Sequence, residues 1–129
     1  MIVVESANRS GVAVQDEAAE SLARAVLSGE GVNDGELGVT WVGPDEMRAL
    51  KREHLGVDET TDVLSFPLDG RDELPVGVPR ALGDVVLCPQ VVGEEWRGPL
   101  VHGLLHLLGY DHGHEMESRE TVYSEHAGA

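Results

Sequence analysis

The chain has 129 residues, a length suited to a single domain with one hydrophobic core. Hydrophobic residues make up 41% of it but aromatics only 4%, so composition excludes a disordered chain and requires a core of Val, Leu and Ala. The 24 acidic and 9 basic residues give a formal net charge of −15, which argues against a DNA-coating protein but leaves room for a metal site or a local basic patch acting on RNA.

The first expected element is a short β run at Ile2-Val3-Val4, followed by a polar stretch from Ser6 to Val14. Asp16-Glu17 opens a helix to about Ser28, with Ala18, Leu22, Ala25 and Val26 at helical spacing and acidic residues where the helix dipole favours them. Gly29 and Gly31 close it. Glu36 to Val42 alternates, with Leu37, Val39 and Trp41 on one face, and reads as a strand. After Gly43-Pro44-Asp45 a second helix runs to about Leu55, and Arg48, Lys51, Arg52 and Leu55 share one of its faces. Asp62 to Phe66 is a short apolar strand stopped by Pro67. Asp69 to Arg80 is a turn-rich loop, and Ala81 to Cys88 a further strand. Pro89 to Gly98 is a connector. Pro99 suits the first position of a helix, where its missing N–H costs nothing. Leu100 to Leu108 is apolar nearly all round except for two histidines, so that helix is expected to be buried. Glu115 to Glu125 reads as a polar terminal helix. This order argues for one α/β layer domain over residues 1–129.

The single cysteine, Cys88, excludes an internal disulfide and reads as a buried strand thiol. No apolar run approaches the ~20 residues of a membrane span, and no secretory signal is visible. A cytoplasmic protein without a membrane partner is the expectation.

The chemistry concentrates in Val101 to His112. Histidines at i and i+4, His102 and His106, project from one helix face, so that their ring nitrogens can reach one metal ion at ~2.0–2.1 Å. Gly109 lets the chain reverse, and His112 can return as a third ligand. Three histidines leave a position free for water, which is the catalytic arrangement; structural zinc sites usually have four protein ligands. The competing reading makes them hydrogen-bonded core residues, but two imidazoles on an otherwise apolar helix would be costly without partners. His114, in a polar segment, reads as solvent-exposed. The spacing resembles the metzincin peptidase pattern H-E-x-x-H-x-x-G-x-x-H, except that Gly103 stands where those enzymes carry their general-base glutamate.

Residues His102 to His112 resemble the hallmark H-G-x-L-H-L-x-G-Y-D-H of the YbeY family of ribosomal-RNA maturation endoribonucleases, and they match it at every fixed position. Thr61-Asp62-Val63-Leu64-Ser65-Phe66-Pro67 and Leu82-Gly83-Asp84-Val85-Val86 resemble two further blocks of that family, in the same order. The likeness covers roughly Leu37 to His112. It implies a small α/β fold, with a mixed four-stranded sheet packed on helices and a central metal-bearing helix. It also implies one ion, expected to be Zn2+, held by His102, His106 and His112, and cleavage of single-stranded RNA in small-subunit ribosomal RNA maturation and ribosome quality control. Nickel, copper and iron also accept three imidazoles.

There are two departures. The family often has an arginine where an ungapped alignment puts Leu55, and Arg52 or Lys51, one turn earlier, are candidates to supply that charge. The alternative is a solvated face balancing Asp58 and Glu59. The connector from Val91 to Val101 is also shorter than the family usually has. Ser65, Asp62, Asp84 and Asp111 are further polar residues near the motifs, of the kind that cap turns and strand ends or hold a ligand histidine. The expected partners are ribosomal RNA and, given the acidic surface, basic small-subunit ribosomal proteins. The alternatives are a metallohydrolase of another substrate class, such as a peptide or small ester, and a ribosome assembly factor whose metal mainly holds the fold.

Overall fold

Burial along one strand sets the architecture. In the computed structural model, which describes residues 1–111 and 113–127, the chain forms β1 (Ile2–Arg9), α1 (Asp16–Gly29), β2 (Gly35–Val42), α2 (Pro44–Leu55), β3 (Val63–Pro67), β4 (Ala81–Leu87), α3 (Pro89–Val92), α4 (Arg97–Leu107) and α5 (His114–Ala127). Leu37, Val39 and Trp41 of β2 are buried on one face of the sheet, and Val42 is buried with a different set of neighbours. A strand buried on both faces needs cover on both.

The strands form one four-stranded sheet in the order β1-β2-β4-β3. β1 pairs parallel with β2, β2 parallel with β4, and β3 antiparallel with β4, so the sheet is mixed, as the family likeness implied. Its larger face is covered by α1, α4 and α5. There Ala19, Ala23, Val26, Leu100, Leu104, Met116 and Tyr123 join Val39, Trp41, Val85 and Leu87 in one apolar cluster. The other face is covered by α2, through Met47 and Leu50 against Val42, Leu64, Val86 and Cys88. The core is almost entirely aliphatic apart from Trp41 and Trp96, which meet edge to face at 5.8 Å, and Tyr123. Cys88 is fully buried, and burial pushes its thiol pKa up.

Three elements differ from the sequence reading. β1 runs on to Arg9 instead of stopping near Glu5, because it is an edge strand and tolerates polar residues. Ser6 and Asn8 pair in register with Val39 and Trp41, and the Ser6 hydroxyl donates to Glu20 at 2.8 Å. α4 starts at Arg97, so Pro99 is its third residue, still inside the first turn where backbone N–H groups have no helical partner. α5 is polar by sequence, yet Met116 and Tyr123, seven residues apart, both reach the core.

α4 is the central element. Leu100, Val101, Gly103, Leu104, Leu105 and Leu107 are buried, while its first turn, Arg97 to Pro99, and its two histidines are not. Truncating Leu104 or Leu105 to Ala would cost ~2–5 kcal/mol. The 69–80 loop is tied down by Arg80, which donates to the carbonyl oxygens of Gly70 at 2.6 Å and Asp72 at 2.7 Å. No helix among the described residues is long and apolar enough to cross a membrane.

Candidate functional site

The two helix histidines meet. His102 Nε2 and His106 Nε2 lie 3.1 Å apart, with ring centroids at 4.5 Å and the rings nearly perpendicular. Each outer nitrogen has a partner. His106 Nδ1 is 2.9 Å from the backbone oxygen of Tyr110. A carbonyl can only accept, so the proton is assigned to Nδ1 and the lone pair to Nε2. His102 Nδ1 is 3.3 Å from Glu120 Oε1 on α5, and a carboxylate acceptor places a proton on that nitrogen too. The two Nε2 atoms face one small space, at a separation that suits an N–H···N hydrogen bond. Two imidazoles bound to one tetrahedral zinc would have their nitrogens ~3.3 Å apart, close to the spacing of this pair. Outer partners of this kind are what metal-ligating histidines usually have. Gly109, at φ 96°, makes the reversal that brings Tyr110 back over His106. His112 lies outside the described residues.

The histidines open into a groove of about 750 Å³ beside β3, an edge strand of the sheet. Thr61 to Ser65 form one wall, Gly98 and Pro99 lie near the start of α4, and Gly109 to Asp111 and Glu120 close the far side. None of the described residues lining it is Lys or Arg, whereas Asp62, Asp111 and Glu120 are acidic.

The reason Gly103 stands where a metzincin has glutamate is steric. The α4 backbone there lies directly on the sheet, and a Cβ on Gly103 would come within 2.9 Å of Val85 Cγ1, 3.1 Å of Ser65 Oγ and 3.2 Å of Val63 Cγ2. Gly103 is buried against the sheet and does not itself line the groove.

The other sequence candidates fall in different places. Leu55 does line the groove, with 60% of its surface exposed. The basic residues beside it are engaged elsewhere. Lys51 Nζ meets Glu59 at 2.8 Å, Arg48 meets Asp58 at 2.7 Å, and Arg52 lies 3.8 Å from the same Asp58. None of the three lines the groove. The hydrogen bond from Arg48 is the main cause of a lowered Asp58 pKa. Asp62 accepts from the Val63 N–H at 2.8 Å, capping the start of β3. Ser65 donates to the Gly103 carbonyl at 3.0 Å. Asp84 is exposed on β4 and does not line the groove, and His114 opens α5 in an exposed position.

Sequence reasoning missed Glu120 and Glu30. Glu120 sits in a helix with no apolar periodicity to orient it. Glu30 is the residue after α1, and its side chain is only 2% exposed. It accepts hydrogen bonds from Tyr110 at 2.6 Å, Tyr123 at 2.5 Å and Arg119 at 2.6 Å, and pairs with Arg71 at 3.0 Å. Burial alone would raise its pKa, but the hydrogen bonds from both tyrosines and Arg119, with the Arg119 charge, outweigh it and hold the carboxyl at about 2.

The fold and site define a small α/β protein with a paired-histidine groove at a sheet edge. The sequence model described as Endoribonuclease YbeY matches residues 4–127. The Endoribonuclease YbeY of Salinispora tropica is 39% identical over 91% of this chain and 87% of its own length, and that of Mycobacterium ulcerans 36% identical over 91% and 75%. A protein of Thermotoga maritima, known from a solution structure, superposes with a TM-score of 0.61 at 27% identity, covering 98% of this chain and 89% of that one. The chain belongs to the YbeY endoribonuclease family. The match extends well beyond the three sequence blocks, into β1 and α5.

Proposed function

We propose that this protein is a zinc-dependent endoribonuclease that cuts single-stranded RNA during small-subunit ribosomal RNA maturation and quality control in the cytoplasm. The observation that carries the metal dependence is the 3.1 Å approach of His102 Nε2 to His106 Nε2, with both Nδ1 atoms turned outward to acceptors. His102, His106 and His112 would hold the ion. When bound, such an ion polarises a phosphoryl oxygen and acidifies water.

The groove supports a single-stranded RNA substrate. An unstructured RNA strand presents a flexible backbone that an open groove can admit beside the edge strand. Leu55, Val63, Pro67 and Pro99 offer apolar surface to bases. With acidic residues in the lining and no basic ones among those described, attraction for phosphate depends on the ion. The acidic remainder of the surface suits basic small-subunit ribosomal proteins as docking partners. Lys51 and Arg52 remain candidates for phosphate contact only if their partners Glu59 and Asp58 release them.

The test is metal content by elemental analysis together with cleavage of a single-stranded RNA, for wild type and His106→Ala. One zinc per chain and RNA cleavage, both lost in the variant, are expected. Metal without cleavage would move the reading to an assembly factor with a structural metal. Peptide turnover without RNA cleavage would move it to another hydrolase class, and no metal in wild type would overturn it.

A further inference from the structure

The Glu30 carboxylate joins four segments at one buried point. Its Oε1 accepts from the Tyr110 hydroxyl at 2.6 Å and from Arg71 Nη2 of the 69–80 loop at 3.0 Å. Its Oε2 accepts from Arg119 Nε at 2.9 Å, Arg119 Nη2 at 2.6 Å and the Tyr123 hydroxyl at 2.5 Å. Both oxygens are fully used, and the side chain is 2% exposed. Gly29 makes the approach possible, because a Cβ there would lie 2.5 Å from the Tyr123 hydroxyl.

Two of the segments this carboxylate holds, the turn at Tyr110 and α5, are the ones that contact the histidines. Tyr110 gives its hydroxyl to Glu30 and its backbone oxygen to His106 Nδ1. Arg119 precedes Glu120, whose carboxylate meets His102 Nδ1. Fixing Tyr110 sets the first of those contacts, and fixing α5 through Arg119 and Tyr123 sets the second. Glu30 touches neither histidine and does not line the groove.

We propose that Glu30 is a positioning residue that clamps Tyr110 and α5 so that both histidines present Nε2 to the same point. This rests on the reading of His102 and His106 as metal ligands only for its effect on zinc affinity; the effect on the imidazoles themselves is independent of metal.

The test compares wild type with Glu30→Gln and with Tyr110→Phe, which removes only one hydroxyl and guards against a failure of the first variant to fold. Met47→Ala, buried on the opposite face of the sheet, controls for general destabilisation. Two readouts are taken at a temperature where each variant is folded. One is the histidine tautomers in metal-free protein, from long-range proton–nitrogen NMR. The other is zinc affinity by chelator competition. Wild type is expected to show Nδ1–H at His106, whose Nδ1 faces a carbonyl oxygen. Glu30→Gln is expected to show a tautomer mixture there, with zinc affinity down about tenfold. Tyr110→Phe should show the mixture at His106, and Met47→Ala neither change. Unchanged tautomers and zinc affinity in both clamp variants would overturn the proposal, as would an equal change in Met47→Ala. If wild type takes up no zinc but the tautomers still shift, the positioning role stands and the metal reading falls.

Discussion

Ser65 Oγ donates a 3.0 Å hydrogen bond to the carbonyl oxygen of Gly103, tying strand β3 to the histidine-bearing turn of α4. The bond is possible because Gly103 has no side chain and the helix can lie directly on the sheet. In register, Ser65 faces Val85 and Val85 faces Val39, so three adjacent strands present a flat seat under that glycine.

Filling that seat should be costly. Gly103→Ala gains ~1 kcal/mol of helix propensity, but overpacking against Val85, Ser65 and Val63 costs ~1–3 kcal/mol. A net loss of stability is expected by denaturant unfolding. Gly103→Glu, which completes the peptidase-like pattern, is expected to destabilise further and to yield no peptide hydrolysis, because the new carboxylate would start from the core side of the helix. A folded, peptide-cleaving Gly103→Glu protein would contradict this.

The Glu30 clamp should appear in the acid limb of stability. Its carboxyl lies at about 2 against an ordinary 4.5, so folding favours the charged form. That contribution is complete above pH 4.5 and is lost as the pH falls through about 2. Its size is ~3 kcal/mol. Urea titrations of wild type and Glu30→Gln at several pH values should show the variant less stable at neutral pH, with the difference shrinking as the pH is lowered. A gap that stays constant from pH 7 to pH 2 would refute the assignment.

Glu120→Gln keeps an oxygen that can accept from His102 Nδ1 but removes the charge. Zinc affinity is expected to fall ~10-fold, within the range for outer partners of ligand histidines. Chelator competition measures it directly, and an unchanged affinity would mean that the 3.3 Å contact does not tune the ligand.

Lys51 and Arg52 already face Glu59 and Asp58 on the surface. Replacing both by Ala is expected to leave RNA cleavage within about threefold of wild type, since neither lines the groove. A loss of tenfold or more in kcat/KM would instead give them the phosphate contact that Leu55 cannot make.

Much was legible in the chain itself, because local rules governed it. Alternation marked β2, and the apolar surround of His102 and His106 marked α4 as a buried helix, since few other structures can place that many leucines out of water. The i, i+4 spacing put both imidazoles on one helix face before any fold was known. The 8-residue length of β1 was not legible, because Ser6 to Arg9 gain their strand conformation from pairing with β2 and not from their own propensity. Nor was the burial of Met116 and Tyr123 in a polar helix.

The sequence by itself determined the helix, the histidine pair and the glycine between them, because each depends on residues within one or two turns. Only the tertiary structure decided what orients them. Glu30 is 80 residues from Tyr110 and 89 from Arg119, and Glu120 is 18 from His102. No local periodicity encodes such contacts; they form only once the packing of α1, α4 and α5 on the sheet has brought a buried carboxylate to its hydrogen-bond donors.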